Sequence, residues 1–186
     1  MMEQYVHIMQ NIKTVISAIV IFAIASVVFM SAASTIMTII PKALATTEVY
    51  VATLSGDKEV PPVTTQATGT AGFSQPHLNN MTYGIKVSNL GNITMAHIHQ
   101  GKEGQNGPVI VTLFKAGNET GTGPVNGQLV GGTISNDKLE GPLAGKSVEV
   151  DLVKVIQNGE AYVNVHTTQN PNGAIRGQIV SGPGAR

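Results

Sequence analysis

The sequence predicts an all-β domain, a sandwich or barrel of about eight strands, preceded by one hydrophobic N-terminal helix. Three observations carry this expectation. Short stretches rich in valine, isoleucine, threonine and tyrosine recur through residues 46–186, punctuated by glycine and proline, of which the chain holds 21 and 9. Several of these stretches alternate apolar and polar residues, as a strand with two different faces requires. Ahead of them, an apolar run from Thr14 to Pro41 carries no charged residue. The 186 residues therefore divide into a leader, 1–45, and one domain, 46–186.

The leader comes first. Its apolar run is bracketed by Lys13 and Lys42 and is long enough to cross a bilayer as a helix, which takes about 20 residues. Ala43-Leu44-Ala45 follows, the small-x-small pattern read by signal peptidase. Two readings stay open: a signal peptide cleaved so that the chain starts near Thr46, or an uncleaved transmembrane anchor. Both place the domain outside the cytoplasm, secreted or held to the membrane.

The strands are predicted at Glu48–Leu54, Thr68–Phe73, Met81–Val87, Ile93–His99, Val109–Phe114, Leu129–Ile134, Glu160–Thr167 and Ala174–Val180. Met81, Tyr83, Ile85 and Val87 share one face of the third. In the seventh, Ala161, Val163 and Val165 share one face while Tyr162, Asn164 and His166 take the other. Gly145 to Asn158 is the one helical stretch, because Val148, Leu152, Val155 and Ile156 form an amphipathic stripe. Ser55–Val63 reads as a proline-stiffened loop and Gly117–Gly127 as a glycine-rich one.

Composition excludes several function classes. Lysine plus arginine balances aspartate plus glutamate at 11 each. Without Lys13, Lys42 and Glu3 of the leader, nine basic residues face ten acidic ones. A binder of nucleic acid through its phosphates needs a basic excess. With no cysteine, there is no disulfide, thiolate metal site or thiol nucleophile. No Gly-x-Ser-x-Gly elbow, phosphate-cradling loop or carboxylate pair is visible.

The chemistry lies in two segments that resemble each other. Ala96-His-Ile-His-Gln-Gly runs on to Asn106-Gly-Pro-Val, and Val163-Asn-Val-His-Thr runs on to Asn170-Pro-Asn-Gly-Ala-Ile-Arg-Gly. Each strand ends at a histidine and is followed by a loop with an Asn-Gly pair, which suits a turn at positive φ. On a strand His97 and His99 project together, and His166 holds the matching place in the second segment. Three imidazoles with an open position suit zinc or type-2 copper. The competing reading gives each histidine a structural bond to a loop carbonyl. Glu103, Asn106 and Asn164 are candidates for orienting or lining such a site. Arg176, on the last strand, is expected to pair with a carboxylate or a ligand anion, or to serve structurally in a salt bridge or stacked on Tyr162. His7 and His77 carry no such weight. Asn80, Asn92 and Asn118 open Asn-x-Thr sequons and are candidate glycosylation positions, chance being the other explanation in an Asn/Thr-rich chain.

These motifs, with Leu54-Ser-Gly-Asp-Lys-Glu-Val-Pro-Pro-Val, resemble the CHRD (chordin-type) domain family from about Glu48 to Val180. The resemblance implies an immunoglobulin-like, Greek-key β-sandwich or barrel in an exported protein. The family's biochemical activity is largely undefined; the leader, the all-β pattern and the lack of catalytic groups point to a binding or interaction module, its partner an extracellular protein, a glycan or a metal ion. The family commonly has an acidic residue at the position of Ala174, so that loop carboxylate is missing here. Ala96-His-Ile-His is also similar to the copper strand of copper/zinc superoxide dismutases, although the zinc loop and cysteines of that pattern are absent. Two alternatives stand beside the binding module: a mononuclear copper or zinc protein built on His97, His99 and His166, and a structural cell-surface subunit.

Overall fold

In the computed structural model, which describes residues 48–77, 79–117 and 124–183, the alternating stretches become nine antiparallel strands. The predicted N-terminal helix lies outside these residues. Among the described residues no helix is long and apolar enough to cross a membrane.

The strands are β1 (Glu48–Ser55), β2 (Thr68–His77), β3 (Asn80–Gly91), β4 (Ile93–Gln100), β5 (Val109–Lys115), β6 (Pro124–Ser135), β7 (Ala161–Thr167), β8 (Ile175–Gln178) and β9 (Val180–Ser181). They form one path in the order β5-β4-β7-β8-β1-β2-β3-β6, with β9 added to β1. The path consists of two four-stranded halves joined at a single residue pair, Ser55 with Arg176. It is a nearly closed, barrel-like sheet. Tyr83 on β3 helps draw its two ends together by donating its hydroxyl to the Leu113 carbonyl of β5 across 2.6 Å.

The core fills the space between the halves. Leu54, Ile85, Ile98, Val163, Val165 and Ile175 are fully buried there, each stabilising the fold by roughly 1.5–3 kcal/mol. Met81, Ile85 and Val87 face it, as their alternation predicts, and Tyr83 packs against it partly buried. The outer edge of β5 is covered: Glu140 N–H donates to Ile110 O, and Thr112 N–H donates to the Glu140 carboxylate. Covering an edge removes a template for unwanted strand pairing.

Three elements differ from expectation. The predicted helix begins as one π-turn, Val148–Leu152, before continuing as α1 (Val153–Gln157). Ser147 Oγ accepts from Val150 N–H, and Gly159 at φ 70° follows the end. Its stripe is correctly placed, since Val148, Leu152, Val155 and Ile156 are all buried. The glycine-rich stretch predicted as loop is strand from Pro124 onward, because β6 continues along the bulged ladder of β3 to Gly91. The single last strand is divided at Ile179, whose side chain turns into the core. β8 then pairs with β7, and β9 with β1.

The junction of the halves requires a glycine. A Cβ on Gly177 of β8 would stand 2.3 Å from the Thr53 carbonyl oxygen of β1. Gly177→Ala is expected to destabilise the domain by about 2 kcal/mol or more in urea denaturation. Gly72→Ala, where a Cβ meets nothing within 4 Å, should change stability by less than about 1 kcal/mol. Equal effects of the two substitutions would disprove the close approach.

Candidate metal centre

β7 is buried along its whole length, Ala161 to Thr167. Its apolar face meets the core. Its other face carries Tyr162, Asn164 and His166, which a strand can bury only if their polar atoms find partners. Those partners come from the neighbouring strands and from three loops laid over the face.

The register decides which side chains meet. His97 on β4 lies opposite Asn164, and His99 opposite Tyr162. His166 stands two residues beyond Asn164, diagonal to His97. The ligand atoms of His97, His99 and His166 all lie within 4.8 Å of one another. Three points so placed share a centre within about 2.8 Å of each, against metal–nitrogen bonds of about 2.0–2.1 Å. Ring movements of several tenths of an ångström would therefore complete a coordination sphere.

Two of the rings are held through their outer nitrogens. His99 Nδ1–H donates to Gly107 O at 2.9 Å, and His166 Nδ1–H donates to Pro171 O at 3.0 Å. With Nδ1 occupied, each ring keeps a lone pair on Nε2. Fixing the outer nitrogen in this way is how metal-binding histidines are oriented. His166 Nε2 lies 3.1 Å from His97 Nδ1. His99 Nε2 is buried without a hydrogen-bond partner.

Burial favours the neutral form of all three rings. Burial, and after it the neighbouring His166 and His99 rings, lower the His97 pKa to about 4, while Glu140 pulls the other way. Burial also lowers His99 and His166, against the opposing pull of their carbonyl bonds. A neutral imidazole is the form that binds a metal.

Arg176 is the second fixed point. It is only 2% exposed. Its guanidinium donates to Lys102 O, Gln105 O and Asn106 Oδ1 at 2.8–3.1 Å. It also lies 3.5 Å from the centroid of Tyr162, as a cation over an aromatic face. Tyr162 in turn stacks on His99, with centroids 5.0 Å apart and planes 7° from parallel. The predicted stacking role is therefore met, and a column runs from guanidinium through phenol to imidazole.

The remaining candidates are placed differently. Glu103 is exposed. Asn106 bonds Arg176 and donates to Val60 O, so it ties two loops together and does not hold a ring. The carbonyls of Gly107 and Pro171 do that instead. Asn164 donates to Glu59 and to Asn172 O. Asn80 opens β3 and Asn92 sits at φ 52° in the β3–β4 turn, both half-buried, while Asn118 lies outside the described residues.

Sequence reasoning missed Glu59. It belongs to the proline-stiffened loop and is 5% exposed. Burial pushes its pKa up to about 7, although Arg176 and the bond from Asn164 work against the rise. Its Oε1 and Asn164 Oδ1 are buried without partners. Gly173, at φ 140°, allows the close fit, because a Cβ there would come 2.5 Å from both Asn164 Nδ2 and Glu59 Oε2. The available signal was a carboxylate directly before Val60-Pro61-Pro62.

A family model for the CHRD domain matches residues 50–179, well over half of the chain. No curated protein matches the sequence.

Glu59 gives the domain a testable pH dependence. Its folded pKa lies above the unfolded value of 4.5, so its contribution is fully present below pH 4.5 and is lost as pH rises through 7. Glu59→Gln keeps an acceptor for Asn164 and cannot ionise. Urea midpoints at pH 5 and pH 8 should show the variant gaining on the parent by about 2 kcal/mol as pH rises. A gap that is independent of pH would show that Glu59 does not titrate as described.

Proposed function

The chain belongs to the CHRD domain family, and from that premise we propose that it is an extracytoplasmic binding module whose ligand is one transition-metal ion, copper or zinc, held by His97, His99 and His166. Export is supported by the uncharged run Thr14–Pro41 with Ala43-Leu44-Ala45 behind it. The same segment attaches the domain to the membrane if it stays uncleaved.

The observation that carries the metal reading is the state of the rings. A purely structural histidine cluster would satisfy its nitrogens within the protein. Here His99 and His166 each spend Nδ1 on a carbonyl and His97 Nδ1 bonds His166 Nε2, but His99 Nε2 is left buried and unpaired beside the other two rings. A desolvated lone pair without a donor costs roughly 1–3 kcal/mol, and a metal ion would offset that cost. The donors are nitrogen alone, which suits copper or zinc better than calcium or magnesium.

The site is enclosed, and this bears on its use. His97 and His166 are buried and His99 half-buried under the loops. Such a centre is suited to holding a metal, for storage, transfer or stability of the domain. The chain supplies the ligands, the carbonyls that orient them and the covering loops.

Titration of the full-length protein with copper and with zinc, followed by elemental analysis, tests the proposal. One equivalent should remain per chain, and a His97→Ala/His166→Ala variant should retain none. At a free metal concentration about 100 times the dissociation constant, the bound form should gain about 2.7 kcal/mol of stability. Absence of retention at micromolar metal, or retention unaffected by the double substitution, would refute it.

A further inference from the structure

We infer that the three-histidine centre selects monovalent copper over zinc and over divalent copper. This rests on the metal-binding reading above and deepens it, because the chemistry of the surroundings discriminates between charges.

The first argument is charge. All three donors are neutral imidazoles, and neither a carboxylate nor a thiolate belongs to the cluster found among the described residues. A bound ion therefore keeps its full charge in a desolvated place. The cost of transferring an ion out of water grows as the square of its charge, so a divalent ion bears about four times the penalty of a monovalent one.

Arg176 adds to this. Its guanidinium is buried, and the column through Tyr162 to His99 aims it at the centre. Its repulsion acts twice as strongly on a doubly charged ion. The nearby carboxylates do not balance it at the centre. Glu140 acts on His97 from an exposed position and already accepts from Thr112 N–H. Glu59 is engaged with Asn164 on the side of Arg176.

Coordination number also discriminates. Zinc on three histidines completes its shell with a fourth ligand, and divalent copper favours tetragonal surroundings, so each needs a further donor in this enclosed place. Here three nitrogens converge, and the Tyr162 hydroxyl is occupied as the acceptor of Gly107 N–H. A filled-shell monovalent copper ion is satisfied by three donors.

The experiment uses the full-length chain. Copper(I) is supplied as its acetonitrile complex without oxygen, in competition with bicinchoninate. Copper(II) and zinc are measured in parallel against chelators of known affinity. One copper(I) ion per chain is expected, bound at least about tenfold more tightly than either divalent ion. X-ray absorption should show three nitrogen neighbours. If zinc or copper(II) binds as tightly as copper(I), the selectivity is overturned while the metal centre stands. If none of the three ions binds, both this inference and the reading beneath it fall. An Arg176→Gln variant that folds should narrow the gap between copper(I) and copper(II). An unchanged gap overturns the part assigned to the guanidinium, and the parent protein decides the rest.

Discussion

Burying a polar strand face is the constraint on which this molecule depends, and Arg176 is the residue that makes it feasible. A guanidinium 2% exposed is costly unless its donors are used. Three of its bonds go to the loop after β4, and its flat face lies on Tyr162. Through Asn106 the same loop reaches Val60 of the β1–β2 connection. The loop after β7 closes the arrangement, with Pro171 and Asn172 accepting from His166 and Asn164. Three loops thus meet over β4, β7 and β8, the one after β4 held by Arg176.

That cover changes what the histidines are. On an open face His97, His99 and His166 would be ordinary titrating side chains. Beneath the loops they lose water and become harder to protonate; backbone carbonyls turn His99 and His166, and His97 bonds His166. Glu59 is forced in the other direction by the same burial and is held closer to its neutral form. The lowered charge of these histidines and of Glu59 follows from one cause, their burial under the loops.

Much of this was legible beforehand. Alternation in Met81–Val87 and Ala161–His166 identified the strands and their two faces, because a strand reverses its side chains at every residue. The stripe from Val148 to Ile156 identified the helix for the equivalent reason. The His97/His99 spacing fixed two rings on one face, and the paired motifs pointed to His166. Glu103 was misjudged because a loop residue has no periodicity from which to infer its direction. Glu59 was missed for the same reason, since its burial comes from packing against Asn164 and Gly173.

Strand periodicity, loop chemistry and family membership were thus determined by the sequence itself, as was the absence of cysteine chemistry. Tertiary structure alone decided that β4 pairs with β7, 69 residues separating the hydrogen-bonded His97 and His166. It also decided that the two halves meet at Ser55 and Arg176, and that Gly107 and Pro171 provide the carbonyls. The reason is physical: period and spacing are local and specify which face a side chain takes. Which faces come together depends on how distant strands and loops bury one another, and only the assembled sheet supplies that.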